Sequence, residues 1–360
     1  MQDKKYWQER MINQVLMGER SVLEYERMLE DAYNASLAEI NKEIQAFYGK
    51  YAKDNQIPYA EARRRLNAGE LKEFQALLKK WYALAQEHNM SREYVEYLKE
   101  LGNRVYISRL ESLQASIRAQ IEALKTDQYK SMTELLSINY MAAYYAANYT
   151  MTHGLGFSVN FAEIDKLGIE TAVKTRWDKR NYSDSIWNDK DKLLDTMNKI
   201  LPQSFSRGLN SNKLGDMIAK ELNTSKNKGR ALARTEVNYL CNQADLTTYK
   251  AIGIEKYEFL ATLDLRTSEI CRGMDGFIGK VTQASVGVNF PPMHVNCRST
   301  TIPHFEDQEV EERVARNQEG KTIKVPRRMS QESWIKQYVP EEQQAQLLKF
   351  MKKFYTEEKS

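Results

Sequence analysis

The chain has 360 residues, with 53 basic and 49 acidic side chains and a formal net charge of +4. Hydrophobic residues make up 42% of it and charged residues 28%, which together indicate extensive hydrated helical surface. This nearly even balance of charges does not predict a polyanionic partner, and a nucleic-acid site would have to be a local patch. The three cysteines do not form a disulfide framework and favour a reducing compartment or a metal site.

The sequence also lacks the signals of a membrane or exported protein. No uninterrupted apolar run approaches the roughly 20 residues that span a bilayer. The N-terminal residues lead into alternating charges and carry no apolar core of a signal peptide. We therefore expect no membrane segment and synthesis in a cytoplasm.

The first half of the chain has the pattern of long helices. Only Pro58 precedes Pro202, so the residue that most reliably interrupts helices is nearly absent there. Apolar residues recur at steps of three and four, and long antiparallel helices are the economical way to bury such stripes. The predicted helices cover Ser21–Tyr51, the region of Leu71–Leu84, Ser91–Leu124 with Ser91 as N-cap, and about Gln128–Met151.

After Gly156 the predicted elements become shorter. Leu201-Pro202 is predicted as a turn, and the polar stretch Asn223–Gly229 as a loop that leads into a helix from Arg230 to about Ile252. Gly253 is expected to stop that helix.

Downstream the period changes from helix to strand. Tyr257–Leu263 alternates with period two, which predicts a strand with one buried face. One or two helical turns carrying Cys271 should follow, then a turn at Asp275-Gly276. Further strands are predicted at Phe277–Val281 and at Ser299–Ile302, the latter ended by Pro303.

The predicted fold class is α+β: a long-helix N-terminal region, a small mixed α+β domain and a charged helical C-terminal tail. The expected boundaries give a helical region at 1–156 and a helical connector at 157–225. The α+β domain follows at 226–305, and the tail at 306–360 ends in a helix from Trp334 to Phe354.

Several blocks of the α+β region resemble the head-morphogenesis domain of the phage Mu protein F type, the MuF domain. The resemblance covers roughly Lys226–Phe305, under a quarter of the chain, and the helical first half carries no motif. The residues that carry it, with a motif or structural role, are Arg234, Thr235, Glu236, Asp264, Arg266, Thr267, Cys271, Asp275, Gly276, Pro292, His294, Asn296, Cys297 and Arg298.

This resemblance implies a minor capsid protein of a tailed bacteriophage. Such a protein is made in the host bacterial cytoplasm and resides in the virion, inside the capsid near the portal vertex. The portal protein is the implied partner, with scaffold or major capsid protein and double-stranded DNA as further candidates. The implied role is in procapsid assembly and in DNA packaging or ejection, and it is not enzymatic.

Cys271, His294 and Cys297 are the candidate metal ligands. Sulfur and imidazole nitrogen suit zinc, and His-x-x-Cys places two of these ligands on one tight turn. Asp275 is the candidate for a fourth position, with Asp264 and His304 as alternatives. Because a second close-set cysteine pair is missing, no cofactor is implied with certainty, and a structural zinc remains one interpretation.

Three other interpretations of the same residues stay open. The cysteines could be buried beside a His294 that is hydrogen-bonded to backbone or to Asp275. Cys271 and Cys297 could form a disulfide outside a reducing cytoplasm. A Cys/His hydrolase would use Cys297 or Cys271 as nucleophile and His294 as base, but a base three residues from its nucleophile has little freedom to align.

Two basic groups are candidates for phosphate contact. Arg234, Arg266 and Arg298 are expected to pair with nearby carboxylates, Glu236, Asp264 or Asp275. Lys226, Lys228 and Arg230 are the candidate DNA contacts, because we predict them in a loop entering a helix N-terminus, where backbone N–H groups favour an anion. The alternative function is therefore non-specific DNA binding to the packaged or ejected genome.

Overall fold

The computed structural model describes residues 2–156, 163–177, 180–262, 267–306, 335–336 and 339–354. Within them lie long helices and a small antiparallel sheet, so the predicted α+β class is confirmed. None of the described helices combines the length and apolar character that a membrane crossing requires. The helices are α1 Lys4–Tyr51, α2 Tyr59–Ala62, α3 Ala68–Glu87, α4 Arg92–Asn103, α5 Arg109–Leu155, α6 Lys166–Lys174, α7 Tyr182–Ser206, α8 Ser211–Ile252, α9 Glu269–Met274 and α10 Glu341–Phe354; the strands are β1 Lys256–Leu260, β2 Ile278–Lys280 and β3 Thr300–His304.

Three helices dominate the fold: α1, α5 and α8 contain 48, 47 and 42 residues. Helix α1 begins at Lys4, well before the predicted start at Ser21, because Trp7 and Met11 extend its buried stripe. The predicted helix at Gln128–Met151 is the C-terminal part of α5. Its tyrosines are core residues, as predicted, and each is at most 7% exposed: Tyr140, Tyr144, Tyr145 and Tyr149.

The prediction of one helix from Ser91 to Leu124 is wrong, because the chain leaves the helix after Asn103 and re-enters it at Arg109. Between these points the backbone bonds to a remote segment instead. Leu66 N donates to Ile107 O, and Arg109 N donates to Arg64 O, both at 3.0 Å. These tertiary hydrogen bonds replace helical ones, so the apolar periodicity continues while the helix does not.

Two predicted interruptions of helices are also wrong. Helix α7 continues through Pro202, and burial of the neighbouring Leu201 and Phe205 offsets the missing N–H group of the proline. The predicted loop Asn223–Gly229 lies inside α8. Its polar side chains find partners on other helices, which stabilises a stretch of low intrinsic helix propensity.

The described chain divides into two compact units, each made of segments remote in sequence. One unit combines Met1–Tyr25, Met132–Tyr182 and Ala231–Ser360 and contains the sheet. The other combines Glu26–Ser131 with Ser183–Arg230 and is helical. The predicted domain boundaries divide the chain only along its sequence, and they stay predictions.

The sheet has the order β2-β1-β3, with both neighbours antiparallel to β1. In its register Tyr257 lies opposite Gly279 on one side and Pro303 on the other. Strand β3 therefore passes the predicted end at Pro303 and continues to His304, since an edge strand tolerates a proline. The buried face of the sheet packs into a core cluster with Trp7, Met11, Met151, Leu246, Tyr249, Ile254, Val281, Phe290 and Ile302.

The C-terminal part of the chain is described only in segments. Helix α10 begins at Glu341, whereas the predicted start at Trp334 lies outside the described residues. The charged stretch 307–333 lies outside them as well. In α10, Leu347 is buried and Lys353 donates to Glu24 on α1 at 2.5 Å, so this helix packs within the unit that contains the sheet.

Candidate functional site

Helix α9 positions Cys271 at the end of the central strand. Ser268 caps the helix, and its hydroxyl oxygen accepts a hydrogen bond from Cys271 N at 3.2 Å. Asp275 ends the helix, and its Oδ1 accepts from Ala261 N at 2.9 Å. Gly276 follows with a φ of 76°, a conformation that glycine adopts without strain, so the predicted turn at Asp275-Gly276 is confirmed.

His294 and Cys297 lie on a tight turn that follows a cis peptide bond between Pro291 and Pro292. Cys297 N donates to His294 O at 3.1 Å, which closes the turn. Asn296 adopts a φ of 62°, a conformation for which asparagine is one of the more suitable residues. Its N–H donates to the Thr235 hydroxyl of α8 at 3.0 Å, so the turn is tied to that helix.

These two segments bring Cys271, His294 and Cys297 together. The two Sγ atoms are 3.7 Å apart, and His294 Nε2 lies 3.3 Å from Cys271 Sγ and 2.7 Å from Ser268 Oγ. His294 Nδ1 lies 2.8 Å from Val295 O, so Nδ1 carries the proton and donates to this carbonyl. The Nε2 lone pair then faces the sulfur atoms, and the predicted backbone hydrogen bond of His294 is present.

Both sulfur atoms lie in apolar surroundings. Cys271 and Cys297 are 2% and 1% exposed and form one cluster with Phe259 and Ala261 of the central strand region. A hydrogen bond from the Cys297 thiol lowers the pKa of Cys271 to about 5, with the Ser268 hydroxyl acting in the same direction. The same hydrogen bond and burial raise the pKa of Cys297.

The chemistry open to this cluster follows from its ligand atoms and its burial. Two thiol sulfurs and one imidazole nitrogen suit a borderline-soft divalent metal. A thiol beside an imidazole also suits nucleophilic catalysis, but a nucleophile needs access to its substrate, and both sulfurs are almost fully buried. The arrangement therefore favours a stabilising role.

The candidate fourth ligands do not join this cluster among the described residues. Asp275 is the C-cap of α9 and holds Ala261 N, as described above. His304 Nδ1 lies 3.8 Å from Glu258 Oε2 at the far end of the sheet. Asp264 lies outside the described residues.

Hydrogen bonds from helix α8 and from Thr262 hold the backbone next to Cys297, and the sequence did not predict the residues that make them. The side-chain amides of Asn238 and Asn242 both donate to Ser299 O, at 3.0 and 3.2 Å. Thr262 Oγ1 donates to Arg298 O at 2.9 Å. Ser268 was missed as well, although a serine before a short helix with an acidic first turn is an N-cap signal.

The remaining residues of the motif surround this cluster. Arg298 Nε lies 3.9 Å from Glu19 Oε1 on α1, a carboxylate that was not among its predicted partners. Glu236 accepts from Trp177 Nε1 at 3.3 Å, and burial raises its pKa to about 7. Thr267 donates to Thr262 O. Arg266 lies outside the described residues.

Arg234 and Arg298 also line a cavity of about 380 Å³. It lies within the unit that contains the sheet, and α1 and α8 border it with both apolar and polar side chains. Its other lining residues are Val15, Gly18, Glu19, Val22, Leu23, Val237, Asn238, Cys241, Asn296 and Cys297.

The predicted loop and helix N-terminus at Lys226, Lys228 and Arg230, on which the expected DNA contact was based, are wrong. These residues lie inside α8, where backbone N–H groups are already used in the helix. Lys226 and Arg230 pair with Glu30 at 3.1 and 2.7 Å, and Lys228 pairs with Asp189 at 2.8 Å. DNA contact by these side chains stays a prediction, without the helix N-terminus that motivated it.

Comparison with known proteins shows which proteins the chain is similar to. Residues 195–302 match the family described as Phage Mu protein F like protein. The minor head protein GP7 of Bacillus phage SPP1 is 25% identical over 304 residues, which is 79% of this chain and 94% of that protein. No solved structure matches the chain.

The relative is a minor head protein of a phage, and the family match covers the α+β region of this chain. The match of residues 195–302 confirms the resemblance of the α+β region to the phage Mu protein F-like family. The family region begins within α7 and ends in β3, so it contains α8, the central strand and the Cys–His turn.

Proposed function

We propose that this chain is a minor component of the virion that acts at the portal vertex during procapsid assembly and DNA packaging or ejection. Its similarity to a minor head protein over nearly that protein's whole length carries this proposal. The portal protein of the same phage is the proposed partner, and scaffold or major capsid protein is a further candidate. Synthesis takes place in the host bacterial cytoplasm.

The surface of α1 supports a protein partner. Ile12 and Leu23 are 46% and 51% exposed, although large apolar side chains are more often buried. They are about three helical turns apart and therefore share one face of the helix. Leu23 also borders the cavity lined by α1 and α8. Exposed apolar residues beside a concave surface are typical of contact sites between proteins.

The test is complementation of a phage whose own copy of the gene carries an early stop codon. Heads purified from complemented cells should contain the chain at far fewer copies than the major capsid protein. The chain should also co-purify with the portal protein when the two are co-expressed. Absence from heads, or failure to co-purify, would reject the proposal.

Variants of α1 locate the contact. Ile12→Ser with Leu23→Ser should reduce co-purification with the portal protein. Leu167→Ser is the matched control, because Leu167 is 70% exposed and belongs to a different helix, α6. Equal loss of co-purification in both variants would mean that the α1 face is not the contact.

A further inference from the structure

The geometry of Cys271, His294 and Cys297 is that of ligands around one ion. The ligand atoms all lie within 4.8 Å of one another. Zinc binds sulfur at about 2.3 Å and imidazole nitrogen at about 2.0–2.1 Å, so tetrahedral ligands stand about 3.8 Å apart for two sulfurs and about 3.6 Å for sulfur and nitrogen. The observed separations, 3.7 Å between the sulfurs and 3.3 Å from Cys271 Sγ to His294 Nε2, agree within a few tenths of an ångström.

The orientation of His294 provides a second observation. A histidine that binds metal through Nε2 usually donates its Nδ1 proton to a carbonyl or carboxylate, which fixes the tautomer and the ring. Here the acceptor is Val295 O at 2.8 Å. The turn between His294 and Cys297 is held by the hydrogen bond from Asn296 N to Thr235 Oγ1, so two ligands are placed before any ion binds.

The sulfur atoms are not placed for a disulfide. A disulfide requires about 2.0 Å between the two sulfurs, so they would have to approach by roughly 1.7 Å. The apolar shell of Phe259, Ala261, Met274 and Met293 would instead shield metal–sulfur bonds from water.

We propose that Cys271, His294 and Cys297 bind one zinc ion, with a water beside the Ser268 hydroxyl in the fourth position. The ion joins α9 to the His294–Cys297 turn and so links two segments that the backbone connects only through the second strand and its following loop. It is a structural site of the α+β region, independent of which partner the head protein contacts.

The test is the metal content of the full-length chain produced in zinc-supplemented medium and dialysed against metal-free buffer. Mass spectrometry of the metals should find about one zinc per chain in the unsubstituted protein. Cys271→Ser, Cys297→Ser and His294→Gln should each lose most of it. Cys241→Ala is the matched control, because Cys241 is a buried cysteine on α8 outside the cluster and should leave zinc binding unchanged.

A cobalt measurement on the unsubstituted chain keeps the proposal testable if the variants fail to fold. Co²⁺ replacing zinc should give the intense visible bands of a tetrahedral site together with sulfur-to-cobalt charge transfer in the near ultraviolet. The proposal is overturned if the chain holds no zinc and gives no such bands. It is also overturned if zinc persists in all three cluster variants, or if peptide mapping finds Cys271 joined to Cys297 in a disulfide.

Discussion

Asp245 is the residue with the clearest consequence for stability. It lies buried on α8, where its Oδ1 accepts from Gln14 Nε2 at 2.8 Å. Burial raises its pKa to about 8, and the hydrogen bond from Gln14 acts in the opposite direction. Burial also raises the pKa of the neighbouring Cys241 and Tyr249, so both remain neutral while Asp245 titrates.

This shift predicts the pH dependence of unfolding. The carboxyl pKa is about 3.9 in an unfolded chain and higher in the folded one, so the folded state binds more protons between about pH 4 and 8. The stabilising contribution is complete below about pH 4 and is lost as the pH rises to about 8. The free energy of unfolding should therefore fall with rising pH, by at most about 1.4 kcal/mol per pH unit from this group.

Asp245→Asn should flatten that profile, because the amide keeps an acceptor for Gln14 and does not titrate. Denaturant unfolding at several pH values measures the free energy of unfolding, and the stability advantage of the variant should grow from pH 4 to pH 8. Glu236→Gln should remove a similar slope that ends near pH 7, where the raised pKa of Glu236 lies. The exposed Glu255→Gln is the control, and an unchanged slope in Asp245→Asn would contradict the assignment.

The residues of the candidate site were predicted as a set, but their contacts were not. The sequence placed Cys271, His294 and Cys297 in one stretch because two of the three cysteines fall there. The sequence could not show whether Asp275 binds a metal or accepts a hydrogen bond from Ala261, since a carboxylate suits both roles. Ser268 joins the cluster only because α9 turns its hydroxyl toward His294.

At the scale of elements, four helices meet around the buried Lys125 of α5. Its ammonium group lies 2.7–3.0 Å from acceptors on Tyr33 of α1, Asp189 of α7 and Ser225 of α8, and from Gln128 on its own helix. Burial alone would raise the pKa of Asp189, but Lys125 and the hydrogen bonds from Lys228 and Ser225 lower it to about 2. This network stabilises the helical unit around Ser225, within the stretch Asn223–Gly229 that was predicted as a loop.

Removing the carboxylate charge should be costly, because it leaves Lys125 buried without its counter-ion. Asp189→Asn should lower the free energy of unfolding at pH 7 by about 3–5 kcal/mol. The difference should shrink as the pH falls from about 4 toward 2, since the lowered pKa means that Asp189 stabilises the fold only while it is ionised.

Asp191→Asn is the matched control for this prediction. Asp191 lies on the same helix, and its side chain is 57% exposed beside Lys190, so its loss should change stability by less than about 1 kcal/mol. Thermal and urea unfolding of both variants give the comparison. Equal effects would mean that the buried network does not stabilise α7.

The elements also explain why some helix ends were missed. Ser108 N donates to Glu111 Oε2 at 2.7 Å and Glu111 N donates to Ser108 Oγ at 3.3 Å, which is a capping box at the start of α5. That signal is present in the sequence, but the uninterrupted apolar period outweighed it in the prediction. The pairing of 107–109 with 64–66 is non-local and has no local signal.

At the scale of the whole molecule, the charge distribution bears on the DNA-binding alternative. The net charge is only +4, and the cations at Lys226, Lys228 and Arg230 lie against carboxylates of the same unit. Phosphate contact would require these ion pairs to break. We therefore expect the three side chains to contribute little to any affinity for double-stranded DNA.

Replacing Lys226, Lys228 and Arg230 together by Gln tests this expectation. Fluorescence anisotropy with a double-stranded oligonucleotide at several salt concentrations should give the same slope of log affinity against log salt as the unsubstituted chain. Circular dichroism confirms that the variant is folded. A slope reduced by about two to three would mean that these residues do contact phosphates, since each contact contributes about 0.9.

By itself the sequence determined the kind of most elements and the position of the motif. Periodicity of three to four residues gave the long helices, and periodicity of two gave the central strand, because local side-chain spacing decides which face can be buried. The motif blocks identified the MuF-type region, because a motif is recognised from residue types and their order and does not require the fold.

Tertiary structure alone decided where helices stop and what the motif residues touch. The break after Asn103 depends on hydrogen bonds to residues about 40 positions away, and the continuity of α8 through Asn223–Gly229 depends on partners on other helices. The cluster of Cys271, His294 and Cys297 likewise forms only when α9 and the later turn fold together. Such contacts join segments remote in sequence, so no local pattern encodes them.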